Sequence, residues 1–228
     1  MNSISVPISA IKGRGAASRI AHRFERDTRD AFDDGWGTAD AEHGEPRAPL
    51  QTQVTFEDAR SIISRNDSPD IYFEHSINPY RGCEHGCVYC YARPAHAYVD
   101  LSPGLDFETR LFYKRGALDL LRAELAAPGY RCSPIALGAN TDPYQPVEKR
   151  LRVTRGVLEV LARTRHPVAI VTKGALLERD LDLLADLARD DLVRVTLSLP
   201  TLDQGLKRIL EPRAASAAAR LRLMRQLA

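Results

Sequence analysis

The sequence predicts an α/β fold, an open part of a (β/α) barrel made of about four βα units. Three observations carry that prediction. Short apolar runs alternate with segments whose leucines recur every three or four residues. The connections between runs are long enough for parallel crossovers, which place helices outside a sheet. Polar motifs fall where each strand would end, the edge at which such folds place their chemistry. A chain of 228 residues is long enough to bury one sizeable core.

Residues 1–53 read as a poorly ordered N-terminal arm. Lys12, Arg14, Arg19, Arg23, Arg26 and Arg29 form a basic stretch, and Asp30, Asp33, Asp34, Asp40, Glu42 and Glu45 follow with no lysine or arginine among them. Segregated charge with few aliphatics buries too little surface to offset ordering entropy. Trp36, between Gly35 and Gly37, is a local anchor in this reading. The arm either touches nucleic acid or a partner, or is a solvated tail.

The core domain is expected over 54–228. Thr55 with Asp58 resembles a helix cap, predicting a helix to about Arg65 that Asn66-Asp67-Ser68-Pro69 stops. Ile71–Ile77 reads as a strand and Thr109–Lys114 as extended chain. Leu118, Leu121 and Leu125 mark the face of a helix. Pro134–Leu137 is a short strand before the rigid turn Asn140-Thr141-Asp142-Pro143. A helix follows with Thr154, Val157, Leu158 and Leu161 on one side, ended by Pro167. Val168–Thr172 is the next strand, and Leu177, Leu181, Leu184 and Ala188 recur at helical spacing. From Val193 to Leu199, apolar residues alternate with Arg194, Thr196 and Ser198, the mark of a two-faced strand. Ser216 caps a last helix carrying Leu221, Met224 and Leu227. Four strands do not close a barrel. The pattern therefore predicts a truncated chain, or one whose last edge another surface covers.

Composition excludes some classes. Lys and Arg number 32 against 30 Asp and Glu, and the resulting +2 does not announce a nucleic-acid partner. No apolar run approaches the ~18 residues of a membrane span, and no signal-peptide core is present. Three of the four cysteines fall between Cys83 and Cys90, with Cys132 apart. Such clustering suits a metal centre in a reducing, cytoplasmic compartment better than a disulfide framework.

The motif runs from Asn78 to Pro94 and spaces its thiols as Cys83-x3-Cys87-x2-Cys90. Three soft thiolates from one loop suit a [4Fe–4S] cubane, and they leave one iron without a protein ligand. Catalytic metals need such an open position, whereas structural sites close theirs. Gly82 and Gly86 permit the tight backbone. Arg81 and Arg93 flank the loop, either offsetting thiolate charge or as surface residues.

With Tyr89 just before the third cysteine, this segment resembles the signature of radical S-adenosylmethionine enzymes. The resemblance implies that Cys83, Cys87 and Cys90 hold the cluster. It implies that S-adenosylmethionine chelates the open iron and is cleaved reductively to a 5′-deoxyadenosyl radical, which abstracts hydrogen from a substrate. It also implies a flavodoxin or ferredoxin as electron donor, and places Tyr89 near the adenine. Asn78–Tyr91, Thr141-Asp142-Pro143, Thr172-Lys173 and Glu211-Pro212-Arg213 are similar to the spore photoproduct lyase branch, over about Ile71 to Ala228. In that branch the matching turn and lysine approach S-adenosylmethionine, so Thr141 and Lys173 take those roles, with Ser198 and Arg213 at its ribose and carboxylate. Nucleic acid is the substrate class to which the branch and the basic arm point.

The chain departs from that branch at Ala139, where photoproduct lyases carry a hydrogen-donating cysteine, which argues against thymine-dimer repair by that mechanism. The later strands of the six-unit core, including a glycine-rich strand that helps hold the cofactor, have no counterpart. Other readings stand beside the cluster. A zinc-stabilised interaction module would take its fourth ligand from Cys132, His85 or His96. A truncated remnant would bind a cluster without cleaving the cofactor. Lys173 also reads as a solvated lysine, Asp142 as the acceptor that fixes the turn, and His75 as a satisfied core histidine. Glu211 with Arg213 reads equally as a turn pair.

Overall fold

The computed structural model describes residues 11–25 and 50–228. Trp36, Arg26, Arg29 and the acidic block from Asp30 to Glu45 lie outside the described residues. Among the described residues eight strands form two sheets: β1 (Gln53–Asp58), β2 (Ile63–Arg65), β3 (His75–Ile77), β4 (Tyr80–Arg81), β5 (Arg110–Arg115), β6 (Ile135–Leu137), β7 (Val168–Thr172) and β8 (Val193–Leu197). The principal sheet has the order β2-β3-β6-β7-β8, and the smaller one β1-β5-β4.

In the principal sheet β3, β6, β7 and β8 run parallel. His75 stands opposite Ile135, Ile135 opposite Val168, and Val168 opposite Val193, so the four strands start level, and β7 and β8 run two residues beyond the ends of β3 and β6. Helices α1 (Ala117–Leu125), α2 (Val153–Arg163) and α3 (Leu181–Ala188) precede or follow these strands, then α4 (Gln204–Leu210) and α5 (Ala217–Leu227) close the chain. The expected open α/β arrangement is what the sheet shows. Its core joins Ile77, Ile135, Leu137 and Ile170 from strands to Leu121, Leu158, Leu161 and Leu187 from helices, all fully buried. Each such side chain contributes about 1.5–3 kcal/mol. Among the described residues β8 pairs only with β7, exposing Arg194 and Thr196 while Val193, Val195 and Leu197 are half-buried. No helix of the described chain is long and apolar enough to cross a membrane.

The first expected helix is not there. The stretch from Thr55 to Arg65 forms β1 and β2 instead, with β1 parallel to β5 from Gln53–Arg110 to Asp58–Arg115. The reason is tertiary. Asp58 accepts two 2.8 Å bonds from Arg115 rather than capping a turn, and Val54, Thr55 and Phe56 favour a pleated strand. The expected strand Ile71–Ile77 shrinks to β3, because Asn66 to Glu74 is a loop closed by a 2.7 Å bond from Asn66 N to Glu74 O. The strands over Val168–Thr172 and Val193–Leu197 lie where the alternation places them, and Ser216 Oγ accepts from Ala219 N at the start of α5.

Part of the N-terminal arm is tied to the core. Arg14 donates to Glu108 O, Leu50 O and Thr52 Oγ1 at 2.8–3.0 Å, Arg19 pairs with Asp106, and Ile20 N donates to Ser102 Oγ at 2.7 Å. Arg23 lies over Phe24 and Tyr98.

Candidate metal centre

Strand β3 ends at Ile77, and the chain passes directly into the cysteine loop, at the C-terminal edge of the parallel strands. Gly82 enters it at φ 79°. A Cβ there would stand 2.8 Å from both Leu111 Cδ2 and Phe107 O and 2.9 Å from His96 Cε1, so the turn requires glycine. Cys83 and Cys87 are buried and Cys90 is half-buried. All three line a cavity of about 110 Å³, whose other walls include His85, Tyr91, Phe107, the turn Gly138–Asp142 and the end of β7, Val171–Lys173. A larger open cleft of about 980 Å³, between the 66–74 loop and Gly129–Arg131, contains none of the motif residues.

Asp142 joins the walls. Its Oδ1 accepts from Tyr144 N at 2.8 Å and Thr172 Oγ1 at 2.6 Å, and its Oδ2 from Lys173 N at 2.8 Å. His85 Nδ1 lies 3.2 Å from Oδ2, off the hydrogen-bonding line. Burial pushes this carboxyl up, but His85, Thr172 and the Lys173 N–H outweigh it, and the pKa falls to about 2. Thr141 Oγ1 donates to Gly82 O at 2.7 Å, and the fully buried Gln145 donates to the same carbonyl at 3.1 Å while accepting from Glu84 N at 3.0 Å. The loop is thus hung from the turn after β6 and the end of β7.

The family model of the Radical SAM superfamily matches residues 77–228. The chain belongs to the radical SAM superfamily. Among curated relatives, an uncharacterised protein of Mycobacterium tuberculosis (strain H37Rv) is 41% identical over 181 residues, covering 78% of this chain and 53% of the relative. An uncharacterised protein of Methanocaldococcus jannaschii is 27% identical over 154 residues, 68% of this chain and 55% of the relative. This radical SAM chain spans about half the length of the curated relatives it matches. Among solved structures, spore photoproduct lyase complexed with dinucleoside spore photoproduct is similar with a TM-score of 0.56 at 15% identity, over 76% of this chain and 47% of that one. A mutant of that lyase with bound AdoMet gives 0.54. At such identity the likeness is one of fold.

Radical SAM proteins generally use a [4Fe–4S] cluster and S-adenosylmethionine. The loop's chemistry fits the cluster. Burial holds the Cys83 thiol well above its ordinary range and pushes Cys87 up to about 12, so ligation must displace protons from both. Among the described residues no three His, Cys, Asp or Glu side chains converge on one metal-ion position. A cubane asks for a different arrangement, because each thiolate meets its own iron around a shared space.

The expected cofactor residues divide into two sets. Thr141 and Lys173 line the cavity with the cysteines. Lys173 Nζ stands 5.7 Å from the ring centre of Tyr89, and the Tyr89 hydroxyl donates to Glu211. Ser198 is beside Thr172 through a 3.0 Å backbone bond, and its carbonyl accepts from Arg220. Arg213 turns to Glu84 at 3.2 Å and is not paired with Glu211. Glu211 instead meets Arg220, and both are fully buried. Cys132 is exposed and precedes β6, so topology sets it at the far end of the strands. Sequence reasoning missed Gln145, Phe107, Glu108 and Arg220. Gln145 alone had a local signal, its place two residues past the Asp-Pro turn.

His96 supplies a test of the packing under the loop. It is wholly buried beside Gly82, with Nε2 directed at Arg110 O at 2.9 Å and Nδ1 without a partner among the described residues. Burial lowers its pKa from the usual 6.5, so the fold accommodates the neutral ring. Its contribution is complete above about pH 6.5 and is lost as pH falls through the lowered folded value. His96→Met should flatten the loss of urea-unfolding free energy on that acid side. An unchanged slope would place the acid sensitivity elsewhere.

Proposed function

We propose that the chain is the cofactor-binding core of a radical SAM enzyme, with Cys83, Cys87 and Cys90 holding a [4Fe–4S] cluster and S-adenosylmethionine seated toward Thr141 and Lys173. The observation that carries this reading is one cavity walled by all three thiols, by the Asp142 turn and by the end of β7. Bound there, cluster and cofactor would supply a one-electron reduction of the sulfonium and a radical able to abstract hydrogen from a substrate. Lys173 brings a cation for the cofactor's carboxylate, and Asp142 fixes the backbone from which that lysine projects. Tyr89 offers an aromatic face beside Lys173 for the adenine. Ser198 and Arg213, held beside Thr172 and Glu84, are proposed as ribose and carboxylate contacts on the resemblance alone.

The proposed electron donor is a flavodoxin or ferredoxin, approaching the side of the loop where Val88, Tyr89 and Tyr91 are exposed. For nucleic acid as substrate the arm supports less than its charge suggested, because Arg14 is spent on hydrogen bonds to Glu108 O, Leu50 O and Thr52 Oγ1 and Arg19 pairs with Asp106. Ala139 likewise argues against lyase-type repair. The test is reductive turnover without oxygen. Reconstituted protein given dithionite and S-adenosylmethionine should release 5′-deoxyadenosine and methionine in equal amounts. A cluster-loaded chain that releases neither is the remnant, and protein with about one zinc and no sulfide is the interaction module.

A further inference from the structure

Behind the cysteine loop, facing away from the cavity, the N-terminal segment closes a buried clamp. The Arg93 side chain is only 13% exposed. Its Nε and Nη2 donate to the backbone carbonyl of Cys87 at 3.2 and 2.9 Å, and Nη1 donates to Gly104 O at 3.1 Å. Nη2 also meets Glu108 Oε1 at 2.5 Å, and Glu108 is fully buried. The arm brings two further donors to that carboxylate: Gly15 N donates to Oε2 at 3.0 Å and Ala16 N to Oε1 at 2.9 Å. Arg14 adds a 2.8 Å bond to the Glu108 carbonyl.

Two glycines make the fit. A Cβ on Gly15 would fall 1.8 Å from Gly86 O, inside the loop's own backbone. A Cβ on Gly86 would meet Glu108 Oε2 at 2.8 Å, Gly15 N at 3.2 Å and Pro212 Cγ at 3.2 Å. Arm, loop and carboxylate therefore touch without side chains between them.

We propose that Arg14–Ala16, Glu108 and Arg93 are positioning residues of the cluster: the arm seals the back of the loop, and the ion pair sets the charge felt behind Cys87. This rests on the reading that the three cysteines hold a cluster. Groups that orient metal ligands from behind typically change metal affinity ten- to a hundredfold when altered, and nearby charge tunes a cluster's potential.

The experiment compares the 228-residue, anaerobically reconstituted protein with Gly15→Val, Glu108→Gln, Arg93→Gln and, as an arm control away from the clamp, Arg23→Ala. Loss of cluster absorbance to a chelator should be about ten- to a hundredfold faster in Gly15→Val and unchanged in Arg23→Ala. Midpoint potentials, read by redox-poised electron paramagnetic resonance, should move in opposite directions. Glu108→Gln leaves a cation uncompensated and raises the potential, whereas Arg93→Gln leaves an anion and lowers it. A purely structural role would loosen both variants without opposed shifts. Cluster loss at the wild-type rate in Gly15→Val, or potentials that shift together or not at all, overturns the clamp. Wild-type protein that takes up no iron and sulfide overturns the cluster reading beneath it, a result distinct from either.

Discussion

Cys87→Ala should leave the chain unable to retain iron and sulfide, and Cys83→Ala should do the same. Wild-type protein reconstituted without oxygen should carry about four irons and four sulfides, the content of one cubane. The loss should be near total because both thiols are buried in fixed backbone, and Cys132, the one cysteine outside the motif, is exposed on the approach to β6. His96 is directed at the Arg110 carbonyl beneath Gly82, and His85 faces Asp142. Cys132→Ala should retain the full complement. Elemental analysis with acid-labile sulfide decides the matter, and iron that survives replacement of all three motif cysteines would show that another site holds it.

The second large effect should come from Glu211→Ala. Glu211 and Arg220 are both fully buried, and the guanidinium also donates to Ser198 O at 2.6 Å and to Ala215 O at 2.8 and 3.0 Å. Removing the carboxylate leaves a buried cation without its counter-ion, which costs about 3–5 kcal/mol. For a domain of this size that corresponds to a fall in Tm of roughly 6–20 °C. Burial and Glu211 together raise the Tyr89 pKa, so the hydroxyl stays a donor at neutral pH and its ring is held by the same carboxylate. The pair Glu211→Leu with Arg220→Met should recover much of the stability, since an apolar replacement removes both charges. Thermal melts of the single and double variants check this, and a single variant that melts with wild type would mean the guanidinium finds another anion.

Much of this site was legible in the sequence because its signals are local. The cysteine spacing, the Asp-Pro turn and Thr172-Lys173 each lie within a few residues, and the β/α alternation told which ends of the strands would hold them. What was not legible depends on distant pairing. Thr55 and Asp58 carry a convincing helix start, yet β5, more than fifty residues later, claims that stretch as a strand. Glu108 looks like any acidic residue in a helical turn until Arg93, Gly15 and Ala16 converge on it. Glu211 sits beside Arg213 in the chain but bonds to Arg220, one turn into α5, because burial selects the partner whose donors also satisfy two backbone carbonyls.

Gly15 and Glu108 are 93 positions apart, so the stretch that emerges early from the ribosome must wait for its seat to be synthesised. The back of the cysteine loop is therefore covered late, only once the chain has been made as far as Glu108 and the early-made segment has docked.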